Sequence, residues 1–97
     1  MKVAPRIVES AATLHPEVLE AVALGLPDHE WGEAVALAIR ARTAVSLQDI
    51  REHLRDHVPS YALPKRLLLV DEMPLRGPGK PDRVALATAP GWQTLGH

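Results

Sequence analysis

The sequence predicts an α+β domain, a compact three-stranded, mainly antiparallel sheet packed with two to three helices. Three observations carry this. Two runs, "EAVALGL" (20–26) and "AVALAIR" (34–40), alternate with the period of a strand, and a third, "RLLLV" (66–70), is apolar throughout. Two other segments, 5–14 and 47–58, repeat apolar residues at helical spacing. The length, 97 residues, suits one domain with a single modest core.

The elements follow in order. In "PRIVESAATL" (5–14), Ile7, Val8, Ala11 and Leu14 recur at helical spacing, and Pro5 suits the first helical position, where its missing N–H costs nothing. "HP" at 15–16 ends that helix, because the residue before a proline avoids the helical region. Val22, Leu24 and Leu26 share one face of the next strand, and Ala21 and Ala23 the other. "PDHEWGE" (27–33) has turn chemistry, with Asp28, Glu30 and Glu33 around Trp31. In the second strand Val35, Leu37 and Ile39 face one way and Ala34, Ala36 and Ala38 the other; this small apolar face predicts a close neighbour. The two runs are expected to pair as an antiparallel hairpin. Ser46 reads as an N-cap, with Asp49 three residues on, ahead of a stripe formed by Leu47, Ile50, Leu54 and Val58. Pro59 closes the second helix, "SYALPK" connects, and 66–70 forms the third strand. "DEMPLRGPGKPDR" is a proline-rich crossing, and "DRVALATA" is a short last helix started by Pro81 or Asp82. Residues 1–89 are expected to form the domain and 90–97 a flexible tail.

Composition excludes several functions. The net charge of -1 gives no footprint for general nucleic-acid or anionic-membrane binding. Without cysteine there is no disulfide framework and no thiolate metal site. No apolar run approaches a membrane span, and the N-terminus lacks the apolar core of a signal peptide. These features predict a soluble, cytoplasmic protein.

Few residues carry chemistry. His53 and His57 stand four apart on a helix, but Glu52, Arg55 and Asp56 beside them point to a solvated face, and no third ligand is evident. Gly79-Lys80 is not the end of a phosphate loop, because Pro81 stands where that loop needs Ser or Thr. No nucleophile–base constellation stands out. Lys80 remains: a lysine between Gly79 and Pro81, in a stretch whose prolines stiffen the backbone and could hold a cation toward another surface.

Four stretches in order, "KVAP" (2–5), "HPEVLEAVALGLPDHEWGEAVALAIR" (15–40), "SYALPK" (60–65) and "VDEMPLRGPGKPDR" (70–83), carry a resemblance. From about Lys2 to Ala87 the chain resembles the small C-terminal, or lid, domain of the adenylate-forming ligases: acyl-CoA synthetases, aryl-CoA ligases and peptide-synthetase adenylation domains. Enzymes of that family join a carboxylate to ATP, with Mg, as an acyl-adenylate. They then pass the acyl group to the thiol of coenzyme A or of a carrier-protein pantetheine. The resemblance implies a lid that swings between two poses over a large N-terminal adenylation domain, in cis or in trans. That large domain, which these 97 residues do not include, holds most of the ATP and acid site.

In one pose the signature lysine, matched by Lys80, stabilises charge during adenylation; in the other, the segment around Lys2, Val3 and Ala4 faces the thiolation site. The implied site is thus Lys80 as catalytic residue, with Lys2, Val3, Ala4 and Gly79 in substrate-facing loops and no metal ligand. The chain is expected to bind no cofactor and to be inactive alone. An acyl-carrier protein is a second implied partner. The alternative is a stand-alone, non-catalytic module that docks on a synthetase or carrier protein. The chain departs from the family pattern at Arg76 and Pro78, where threonine is frequent, and at Ile7, where the first helix usually carries an acid.

Overall fold

The structure, a computed structural model, describes residues 3–30 and 32–95; Lys2 and Trp31 lie outside the described residues. Pro5 opens α1 (Pro5–Ala12), which buries Val8, Ala11 and Ala12. The helix stops short of Leu14, which stands in the following turn, 65% exposed. β1 (Val18–Asp28) and β2 (Gly32–Ala41) pair antiparallel, from Val18 opposite Ala41 to Asp28 opposite Gly32. Their turn is pinned by Arg66, whose Nη2 donates to Pro27 O at 3.2 Å and lies 3.9 Å from Asp28 Oδ2.

α2 (Leu47–Leu54) starts with a reciprocal capping box. Asp49 N–H donates to Ser46 Oγ at 3.0 Å, and Ser46 N–H donates to Asp49 Oδ2 at 3.2 Å. The chain then makes a 3-10 turn (Ser60–Ala62) and enters β3 (Arg66–Leu69). The proline-rich crossing is itself a small hairpin, β4 (Leu75–Gly77) against β5 (Lys80–Pro81). α3 (Arg83–Thr88) follows, and Gln93–Thr94 form β6.

Among the described residues the main sheet has four strands and not three, in the order β1-β2-β3-β6; it is mainly antiparallel, as expected, but mixed, because β2 and β3 pair in parallel. Two physical causes explain the difference. The connection from β2 to β3 carries α2 across the sheet, so the chain re-enters in the same direction and β3 pairs parallel to β2, Leu37 beside Leu67. β6 pairs antiparallel with β3, Arg66 opposite Thr94, but two residues are too few to show a strand period. Gln93 is further held because its Oε1 accepts the N–H of Leu47, at the start of α2, at 3.2 Å.

Helices cover both faces of the sheet. On one, α1 and α2 press Val8, Ala12, Ile50 and Leu54 against Val35, Leu37, Ile39 and Leu67. On the other, Leu86 of α3 and Met73 pack against Val22, Leu24, Leu26 and Leu68, with Trp92 at the margin. This second face holds Ala36 and Ala38, both fully buried, so the small side of β2 is where the close neighbour sits. Each fully buried Leu or Ile contributes roughly 1.5–3 kcal/mol relative to exposure, so an aliphatic core suffices without phenylalanine. Among the described residues no polar or charged side chain is buried, and no helix is long and apolar enough to cross a membrane.

Candidate functional site

The β4–β5 hairpin reverses on Pro78 and Gly79, between paired Gly77 and Lys80. Gly79 has φ +71°, so the pair fits a type II turn: proline sets the first central residue, and glycine takes the left-handed one without a Cβ penalty. Lys80 leaves this turn exposed, and Arg76, Pro78 and Gly79 are exposed with it. The hairpin is closed at its base, where Asp82 N–H donates to Pro74 O at 2.8 Å. Asp82 also caps α3, its Oδ1 accepting Ala85 N–H at 3.0 Å. Before the hairpin, Met73 is buried against the sheet. The fold thus presents one ammonium at the end of a narrow arm rooted on both sides.

The N-terminal segment is built differently. Val3 is buried in the core with α1 and α2, while Ala4, the extended N-cap of α1, is exposed. Ala4 is therefore the accessible member of the two, and Lys2 lies outside the described residues.

The roots of the two segments converge. Pro5 at the start of α1 and Arg83 at the start of α3 line one open groove of about 460 Å³, with Ala23, Leu24, Val84 and Ala87 among its walls. The Glu33 carboxyl lies over Gly25 in this groove, where a Cβ would otherwise stand. Arg83 Nη2 also reaches Glu9 Oε2 at 3.4 Å, and the same oxygen accepts the Ala23 N–H at 2.8 Å. Neither Glu9 nor its link to Arg83 is visible in the sequence: the two are 74 residues apart, and Glu9 reads as an ordinary polar position of a helix.

The histidines gather elsewhere. The rings of His15 and His53 lie 5.1 Å apart and those of His53 and His57 4.9 Å apart, between the end of α1 and α2. His53 Nε2 is 2.8 Å from Ala11 O, a carbonyl that only accepts, so that nitrogen carries the proton. Among the described residues no group of three or more His, Asp or Glu side chains is arranged to hold a metal. On α2, partial desolvation and then the neighbouring charge of Arg55 hold the pKa of the half-buried Arg51 guanidinium below its ordinary value. Arg51 fastens the connector by donating from Nη1 to Pro64 O at 2.7 Å. These features belong to the α1–α2 side of the sheet, whereas the Lys80 arm springs from the α3 side.

The comparisons agree with one another. Residues 7–80 match the family described as the AMP-binding enzyme C-terminal domain. The chain is 36% identical over 86 residues to an acyl-CoA synthetase of Gibberella moniliformis, covering 89% of this chain and 16% of that protein. It is 37% identical over 83 residues to a medium/long-chain-fatty-acid–CoA/3-oxocholest-4-en-26-oate–CoA ligase of Mycolicibacterium smegmatis, covering 84% of this chain and 15% of that one. Its fold is similar to that of the amide bond synthetase McbA of Marinactinospora thermotolerans, with a TM-score of 0.80 and 35% identity over 89% of this chain and 18% of that one. The chain therefore spans only 15–18% of the length of these relatives.

Proposed function

The chain belongs to the AMP-binding enzyme C-terminal domain family, the C-terminal domain of acyl- and aryl-CoA ligases, and from that premise we propose that it is the mobile lid of an ATP-dependent acid–thiol ligase. Its task is to deliver the Lys80 ammonium to a large N-terminal adenylation domain, in cis or in trans. The observation that carries this reading is the placement of Lys80, an exposed cation at the turn of a stiff, base-closed hairpin.

The chemistry needs such a group. A carboxylate oxygen attacks the α-phosphorus of ATP, and the bond to pyrophosphate breaks. Negative charge gathers on the attacked phosphoryl group and on the leaving pyrophosphate. A fixed ammonium in a site emptied of water stabilises that charge, and one well-placed donor of this kind is worth about 3–4 kcal/mol of barrier. Lysine suits the role as a compact charge on a long stem that can cross a domain interface. The second step needs the lysine gone. With the lid turned, the exposed Ala4 faces the site, a thiol attacks the acyl carbon, and AMP leaves. Such a swing is a rigid-body movement about the junction of the two domains. ATP, Mg and coenzyme A or a pantetheine thiol are held mainly by the large domain in this reading. An amine is the competing acceptor, as the name of the amide bond synthetase neighbour suggests.

The test grafts this chain in place of the matching segment of the M. smegmatis ligase and measures decanoate-dependent ATP–pyrophosphate exchange. Lys80→Ala is expected to lower exchange by about 100-fold or more. Lys80→Arg is expected to restore only part of it, because a planar fork does not fill the place of an ammonium. Full exchange with Lys80→Ala contradicts the proposal and favours a lid that docks without chemistry.

A further inference from the structure

We infer that the Glu9–Arg83 ion pair is the brace that aims the Lys80 hairpin, which makes Arg83 and Glu9 positioning residues for the adenylation half-reaction. The inference rests on the function proposed above.

The hairpin cannot aim itself. Leu75, Arg76, Pro78, Gly79 and Lys80 are exposed, and Gly77 and Pro81 are half-buried, so no side chain of the arm is anchored in the core. Its direction is set at its two roots. One is Met73, buried against the sheet, with Pro74 bonded to Asp82. The other is α3, a helix of six residues that buries only Leu86. The C-terminal end of α3 is held by Trp92, whose Nε1 donates to Leu86 O at 3.0 Å. Its N-terminal end, next to the hairpin, reaches the rest of the molecule through the Arg83 guanidinium and Glu9.

Glu9 is the firm end of this link. It stands on α1, which buries three residues, and its Oε2 accepts the Ala23 N–H on the edge of β1 that, among the described residues, has no strand partner. α1 also begins at Pro5, directly after Ala4, so the brace ties the segment proposed to face the thiol to the segment proposed to face ATP. Cutting it leaves α1 in place and frees the lighter side, α3 and the arm. The two side chains are 48% and 24% exposed, so the pair adds little to stability. Its loss should be felt in where the Lys80 ammonium arrives, and small misplacements of a catalytic group can cost orders of magnitude in rate.

The test has two arms. In the first, backbone amide relaxation is measured on the 97-residue chain, native and with Arg83→Met, Arg83→Lys or Glu9→Gln. Order parameters across 75–81 are expected to fall from the rigid range, about 0.85, to below about 0.6 in Arg83→Met, with β1 and β2 unchanged. Arg83→Lys should hold the arm, and Glu9→Gln, which still accepts from Ala23, should loosen it less than Arg83→Met. In the second arm, the grafted ligase is assayed for decanoate-dependent pyrophosphate exchange. Arg83→Met should lower kcat by about 10-fold or more, and should have no further effect once Lys80→Ala is present.

An arm as ordered in Arg83→Met as in the native chain overturns the inference. So does an Arg83→Met loss of the same size in the Lys80→Ala background, because Arg83 would then act by a route other than Lys80. A Lys80→Ala ligase with native exchange instead contradicts the proposed function, and the relaxation data alone then decide for or against the brace.

Discussion

At the scale of single residues, the account turns on Lys80 and on the glycine before it. Gly79 has φ +71° and open space where a Cβ would stand, so a side chain there meets backbone strain and no clash. Gly79→Ala is therefore expected to cost about 1–2 kcal/mol, measured by urea denaturation, and Gly79→Asn less, since asparagine tolerates the left-handed region. The same substitution should weaken exchange by loosening the turn that carries Lys80. A stiff loop with an exposed lysine was legible because it is local, in the adjacent letters Pro78, Gly79 and Lys80, whereas the turn they make inside a hairpin was not, and the role of Lys80 rests on the resemblance. The Glu9–Arg83 pair was not legible, because it forms only once α1 and α3 meet at the edge of β1, and no local pattern records a contact across 74 residues. Val3 shows the same limit. The resemblance places it in a segment that faces the thiolation site, but its side chain is in the core.

At the scale of elements, the helices were read from their own chemistry. The capping box at Ser46 and Asp49 is a three-residue pattern, and both of its hydrogen bonds are present. Ser46→Ala removes one of them and leaves the Asp49 N–H without its partner; it should cost about 1 kcal/mol, seen as a lower Tm in thermal denaturation. The alternation in β1 and β2 likewise fixed which residues share a face. Direction and number of strands were harder. Nothing in "RLLLV" tells a parallel strand from an antiparallel one; only the passage of α2 over the sheet decides it. β6 depends on pairing with Arg66 and Leu67 and on the Gln93 bond to Leu47, all long-range. The proline-rich crossing hid a hairpin because β5 is two residues long and includes a proline.

At the scale of the whole molecule, one sheet is clothed on both faces, and the two layers do different work. The α1–α2 layer holds most of the large buried side chains, including Leu37, Ile39, Ile50 and Leu54, all fully buried. Leu37→Ala should cost about 2–5 kcal/mol, a large share of the roughly 5–15 kcal/mol that holds a domain of this kind together, and chemical denaturation will show it. The α3 layer is thinner, and the Lys80 arm springs from it. A firm body suits a lid that swings as one rigid piece, and the arm keeps its aim only while its two roots hold it. The 97 residues by themselves are expected to show no pyrophosphate exchange, because the reading assigns the nucleotide and acid pockets to the large domain. The most direct measurement separates the two half-reactions in the grafted ligase by rapid quench under single turnover. The account predicts that Lys80→Ala slows acyl-adenylate formation by about 100-fold or more, while transfer of the acyl group from preformed adenylate to coenzyme A stays within about two-fold of native. Equal slowing of both steps, or of neither, would contradict it.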